Sequence, residues 1–186
     1  GGIKRDVVGM MTKMSKKYGH LRFIGAHPMA GREYSGIEHS LVALFDKASI
    51  LLCPVNPEIE QLTMIKNFFR EIGFSEVLIT TPEKHDRIIA YTSQLAHVVS
   101  NAYIKSPTAL DYKGFSAGSF RDLTRVARLN PVMWSELMMD NRDNLIKEIE
   151  LLINNISKYK AALERSDEEG LRLLLEEGSE LKIGID

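Results

Sequence analysis

Residues 48–81 read ASILLCPVNPEIEQLTMIKNFFREIGFSEVLITT, and this stretch decides the fold class. Ala48 to Val55 is a continuous apolar run closed by a proline, the pattern of a strand covered on both faces. Asn56-Pro57 supplies a capping residue and a proline at the first helical position, and Gly73 supplies a terminator, so a helix is expected between them. Ser75 to Thr81 reads as the next strand. Alternating strands and helices imply a sheet with crossover connections.

Toward the N-terminus, Arg22 to Ala26 reads as another short strand, ending at His27-Pro28. Before it, Ile3 to Tyr18 repeats Val7, Met10, Met11 and Met14 at three- and four-residue spacing, as an amphipathic helix does. About three strands are few for an independent doubly wound domain. A complete dinucleotide-binding domain opens with a strand, a G-x-G-x-x-G turn and a helix. Neither that spacing nor a Walker-type loop occurs here, so the sheet reads as the remnant of an α/β (Rossmann-like) domain whose phosphate-cradling part lies in a missing N-terminal region.

Beyond Pro82 the period is helical throughout, which makes the chain mainly α. One long helix is expected from Pro82 to about Lys105, since neither Gly nor Pro interrupts it. Ser119 to Asn130 and Pro131 to Asp140 follow as shorter helices. Asn144 to Arg165 places Leu145, Ile149, Leu152, Ile156, Tyr159 and Leu163 at alternating four and three spacing, and Asp167 to Leu181 reads as a last helix capped by Ser166 or Asp167. Two units follow: residues 1–81 as the C-terminal part of the nucleotide-binding domain, and residues 82–186 as an all-helical domain. Ile146 and Ile153 flank the long stripe, so the helical domain is expected to pair with a second copy of itself; packing within one chain is the alternative.

Composition narrows the function classes. The 24 Lys and Arg balance 25 Asp and Glu, for a formal charge of −1, so no basic field gathers nucleic acid or anionic lipid. A mean hydropathy of −0.14 and the lack of a long apolar run give no expectation of a membrane span. The single cysteine, Cys53, excludes an intrachain disulfide and fits a reducing, cytoplasmic setting. The five histidines show no ligand spacing, so no metal site is expected, and His20, His39 and His85 stand beside ordinary surface residues.

Three stretches carry the unusual chemistry. In the first, residues 25–36 (GAHPMAGREYSG), His27 closes a strand at the edge where open α/β sheets bind ligands, and Pro28 restricts its backbone. Gly25 and Gly31 leave room for a ligand to approach the main chain. A histidine of ordinary pKa, near 6.5, can take a proton or hydrogen bond from a hydroxyl at neutral pH. In the second, Ser93, Gln94 and His97 converge on one side of an apolar helix. In the third, residues 114–125 (GFSAGSFRDLTR), a turn enters a helix whose Arg121, Arg125 and Arg128 form a candidate anion face, arginine being the natural fork for a carboxylate. Each pattern also has a structural reading: a histidine before proline, a satisfied core histidine, a solvated charged face.

Together and in this order the three stretches resemble the prephenate dehydrogenase family. GAHPMAGREYSG is similar to that family's H-P-(M/I/V)-A-G-x-E-x-S-G signature, and HDRIIAYTSQLAH, GSFRDLTR and PVMW recur with it. The resemblance implies NAD-dependent oxidative decarboxylation of prephenate to 4-hydroxyphenylpyruvate in tyrosine biosynthesis, by a homodimer joined through its helical domain. It implies that His27 is the catalytic histidine, that Arg125 holds a substrate carboxylate, and that His97 orients the substrate. Glu33, Asp122 and Trp134 would line or gate the pocket, with Ser93 and Gln94 behind them. Gly2, Lys4 and Pro28 would lie on the cofactor side, with most of the NAD site in the missing N-terminal region, so that the fragment alone is expected to be inactive.

Two departures stand out. Gly2 occupies the place of a serine that many members carry, so any hydroxyl that orients the histidine must come from elsewhere or be missing. Gln94 stands where some relatives have histidine, which leaves arogenate as a competing substrate. Two other classes remain open: a non-enzymatic helical dimerisation module, in which His27, His97 and Arg125 need not converge, and another NAD-linked hydroxyacid dehydrogenase. The latter should carry a lysine base in the long helix, and residues 93–97 contain none.

Overall fold

The computed structural model describes residues 2–31 and 36–185. The first unit runs α1 (Arg5–Lys17), β1 (Ile24–Pro28), β2 (Ser49–Pro54), α2 (Ile59–Glu71) and β3 (Glu76–Ile79). The second runs α3 (Pro82–Ile89), a π-helical turn (Ala90–Leu95), α4 (Ala96–Tyr103), α5 (Gly118–Thr124), α6 (Pro131–Asp140), α7 (Arg142–Glu164) and α8 (Glu168–Ile185). The expected order, a three-stranded sheet followed by helices alone, is the order observed.

The sheet runs β1-β2-β3. β2 and β3 are parallel through the α2 crossover, with Leu51 opposite Leu78. β1 is antiparallel to β2, pairing His27 with Leu51, so only one of the two connections is a crossover. β1 also lies two residues further along than its hydrophobic pattern indicates, so His27 is within the strand rather than past its end. Burial on both faces explains the unbroken run in β2. Cys53 and Val55 pack with Val8 of α1 on one face, while Ile50 and Leu52 pack with Phe74, Phe45 and Ile65 on the other. Phe74 stacks on Phe45 at 4.8 Å between ring centroids.

Three local expectations are corrected. α2 begins at Ile59 with Glu58 before it, because Asn56 adopts a left-handed φ of 47° and serves as a turn residue rather than a cap. The helix from Pro82 runs on to Tyr103 but is not α throughout: a π-helical turn over Ala90–Leu95 is set within it, joining α3 to α4, and neither Gly nor Pro is needed to make one. α5 stops at Thr124, well short of Asn130. At α8, Asp167 accepts the Gly170 N–H at 2.8 Å, so it is the capping side chain.

The helical half leaves much apolar surface in the open. Ile146, Ile153, Ile156 and Leu163 of α7, and Leu173, Leu181 and Ile183 of α8, are exposed, although Leu145 and Ala162 are buried. No helix among the described residues is long and apolar enough to cross a membrane.

Candidate active site

The site is built where α3 meets the sheet. Thr81 caps α3, its hydroxyl accepting the Lys84 N–H at 3.2 Å, and Pro82 fills the first turn. That start fixes His85 and Asp86 one turn in, facing the first turn of α1 and the end of β1. The Asp86 carboxylate accepts the backbone N–H of Lys4 and that of Arg5, each at 2.8 Å. α1 has no capping side chain of its own, so Asp86 caps it from a helix some eighty residues away.

From Asp86 a chain of hydrogen bonds runs to His27. His85 Nδ1 lies 2.7 Å from Asp86 Oδ1, and His85 Nε2 lies 2.8 Å from His27 Nδ1. His85 is 1% exposed and Asp86 2%, which corrects the placement of His85 among surface residues. Burial alone would raise the Asp86 carboxyl. The bond from His85 and the two backbone N–H groups outweigh it and hold the carboxyl below its usual value.

His27 is partly buried, and burial pulls its pKa down to about 4. The charge of Lys4 and the neighbouring His85 act in the same direction, while Asp86 opposes them. The ring is therefore neutral at physiological pH, further from titration than the ordinary value of 6.5 suggests. Gly2 offers no hydroxyl to it; the partner of Nδ1 is His85. Lys4 itself is 3% exposed and sets its ammonium on the Gly2 carbonyl at 3.0 Å. Burial lowers its pKa against the pull of Cys53 and Asp86. Gly25 does not leave space for a ligand. A Cβ there would meet Val8 Cγ2 at 2.9 Å, so this glycine lets α1 close on β1.

The second stretch divides. His97 Nδ1 lies 2.8 Å from the Ser93 carbonyl, and since a carbonyl only accepts, that nitrogen carries a proton. The ring lies against Trp134 of α6, centroids 3.9 Å apart. The Gln94 side chain instead turns inward: it is 2% exposed, donates to the Leu137 carbonyl at 2.7 Å and accepts from Asn141 Nδ2 at 2.8 Å. Asn141 also donates to the Asp86 carbonyl at 2.8 Å, tying the junction of α6 and α7 to the floor of the site. Arg125 is exposed just past α5, which packs against α4, the helix of His97. Asp122 is exposed beside Arg121. An open cavity of about 830 Å³ between the ends of α4 and α5, walled by Tyr103, Tyr112, Phe115 and Phe120, is lined by none of His27, His97 and Arg125. Glu33 lies outside the described residues.

Sequence reasoning missed His85, Asp86 and Asn141. His-Asp opens the HDRIIAYTSQLAH motif about one turn after a Thr-Pro helix start, where polar residues are ordinarily solvated. The packing of α3 against α1 and α7 buries them.

Two family models cover nearly the whole chain: the prephenate dehydrogenase nucleotide-binding domain over residues 1–78 and the prephenate dehydrogenase dimerization domain over residues 81–177. The chain belongs to the prephenate dehydrogenase family. It is 29% identical to the prephenate dehydrogenase of Bacillus subtilis over 178 residues, covering 92% of this chain and 47% of that protein. It is 28% identical to the cyclohexadienyl dehydrogenase of Zymomonas mobilis, covering 100% of this chain and 64% of that one. The crystal structure of prephenate dehydrogenase from A. aeolicus in complex with hydroxyphenyl propionate and NAD+ superposes with a TM-score of 0.82 at 30% identity, over 100% of this chain and 65% of that chain. The chain thus spans about half to two thirds of the length of these relatives.

Proposed function

We propose that the full-length protein is an NAD-dependent dehydrogenase that oxidises and decarboxylates prephenate to 4-hydroxyphenylpyruvate, with His27 as its base. One observation carries the reading. His27 is neutral, tied inward through Nδ1, and still partly exposed, so its second nitrogen can serve a hydroxyl. In this reading the ring hydroxyl of the substrate gives its proton toward His27 Nε2 as hydride leaves the same carbon. The proton returns to the oxygen when loss of carbon dioxide drives electrons back into the ring, which becomes aromatic.

The residues fit only part of the cofactor. Gly2, Lys4 and Pro28 lie on the His27 side, but the Lys4 ammonium is committed inward, and among the described residues no glycine-rich turn opens a helix for a pyrophosphate. When bound, NAD supplies the hydride acceptor. On the substrate side, Arg125 pairs with a carboxylate, and His97 against Trp134 orients the substrate. Ser93 and Gln94 support that wall, and Asp122 borders the pocket. The division near residue 81 then separates the cofactor side from the helical side. Exposed apolar faces of α7 and α8 support a homodimer formed by the helical part.

A purely structural module has no need of a buried Asp86-His85 pair bonded to His27, since its desolvation costs stability. The test is an assay of the full-length protein with prephenate and arogenate side by side, following reduced nicotinamide. Turnover of prephenate in excess of arogenate is expected. Preference for arogenate overturns the choice of substrate, and turnover of neither overturns the reading.

A further inference from the structure

We propose that His85 and Asp86 are positioning residues that hold His27 in the tautomer with its proton on Nδ1, leaving the Nε2 lone pair for the substrate hydroxyl. The inference rests on reading His27 as the base and adds a role for two residues outside the substrate pocket.

The direction of each proton follows from the partners. The Asp86 carboxylate already accepts two backbone N–H groups and is acceptor-only, so the short contact to His85 Nδ1 requires a proton on that nitrogen. A neutral His85 then has only a lone pair on Nε2. The 2.8 Å contact from that nitrogen to His27 Nδ1 is satisfied by a proton on His27. The opposite arrangement needs a doubly protonated His85 in a position 1% exposed, and it would put the His27 proton on Nε2, where it blocks acceptance from a hydroxyl.

The pair is also held still. Thr81 caps the helix that carries it, Asp86 is pinned to α1, and Asn141 takes the Asp86 carbonyl. Once His27 accepts a proton, its Nδ1–H remains on His85, with the Asp86 carboxylate one ring further on to balance the charge. A helix-capping role alone would account for Asp86 but not for the contact between the two rings.

The test reads tautomers directly, by long-range ¹⁵N–¹H correlation on the imidazoles, in the wild-type full-length protein and in His85→Leu and His85→Gln. The expected wild-type spectrum shows His27 protonated on Nδ1. In His85→Leu the acceptor is gone, and His27 should shift to the Nε2–H form that imidazole favours in water. In His85→Gln the amide oxygen can accept, and the Nδ1–H form should return. Turnover should follow: kcat down about tenfold or more in His85→Leu with KM little changed, and largely recovered in His85→Gln.

An Nε2–H His27 in the wild type, or one tautomer in both variants, overturns the proposal. So does a flipped tautomer with kcat unchanged. If the tautomers behave as stated while the wild type oxidises neither prephenate nor arogenate, the positioning stands and the reading of His27 as that enzyme's base fails. Should His85→Leu not fold, the wild-type and His85→Gln spectra still decide the matter.

Discussion

The carboxylate of Asp86 accepts the backbone N–H of Lys4 at 2.8 Å, so the second turn of α3 holds the start of α1. These two segments belong to different halves of the molecule, and the ring of His85 links the same carboxylate to His27.

Asp86→Ala removes the acceptor for two backbone N–H groups and for a buried imidazole at once. The loss should be about 3 kcal/mol or more, since stranded buried donors cost more than a hydrogen bond contributes. Urea denaturation with an unchanged slope checks it, and Asp86→Asn, which keeps one acceptor oxygen, should lose less. A destabilisation below about 1 kcal/mol would show that the carboxylate does not organise this junction.

Acid should destabilise the protein earlier than carboxylate titration alone requires. Unfolded, His27 binds a proton near its ordinary 6.5; folded, it refuses one until about 4. Its contribution is therefore complete above 6.5 and is lost as pH falls through that window, by about 2–3 kcal/mol. Asp86, whose folded pKa is lowered, contributes above its ordinary value of 3.8 and adds a further loss as pH falls below it. Urea midpoints between about pH 7.5 and about pH 4.5 should decline, and less so in His27→Asn.

Gly25→Ala tests why that glycine is there. The new methyl would press on Val8 Cγ2 at 2.9 Å and on Lys4 Cδ at 3.3 Å, so stability should fall by about 1–3 kcal/mol as α1 is pushed off β1. A neutral substitution would mean that Val8 and Lys4 yield freely.

Arg125→Ala should raise KM and leave kcat nearly unchanged. Because Arg125 is exposed in the single chain, the expected loss is about 1–2 kcal/mol, roughly tenfold, rather than that of a fully desolvated pair. Steady-state kinetics separate the two constants, and a fall confined to kcat would remove Arg125 from carboxylate binding.

Much of this was legible in the sequence. The run at β2 declared burial on both faces, and the change of period at Pro82 declared the helical half. His27 stood out because a strand end, a proline and flanking glycines are all local signals. What stayed hidden was non-local. Asp86 caps a helix far away in sequence, and Gly25 makes room for Val8 rather than for a ligand. The π-helical turn at Ala90–Leu95 has no composition that marks it. His85 looked solvated because helical spacing shows which residues share a face, not what covers the first turn.

The most direct test of the central claim is the turnover of His27→Asn in the full-length protein with prephenate and NAD. In that variant kcat should fall about a hundredfold or more with little change in substrate affinity. Turnover at the wild-type rate would contradict it.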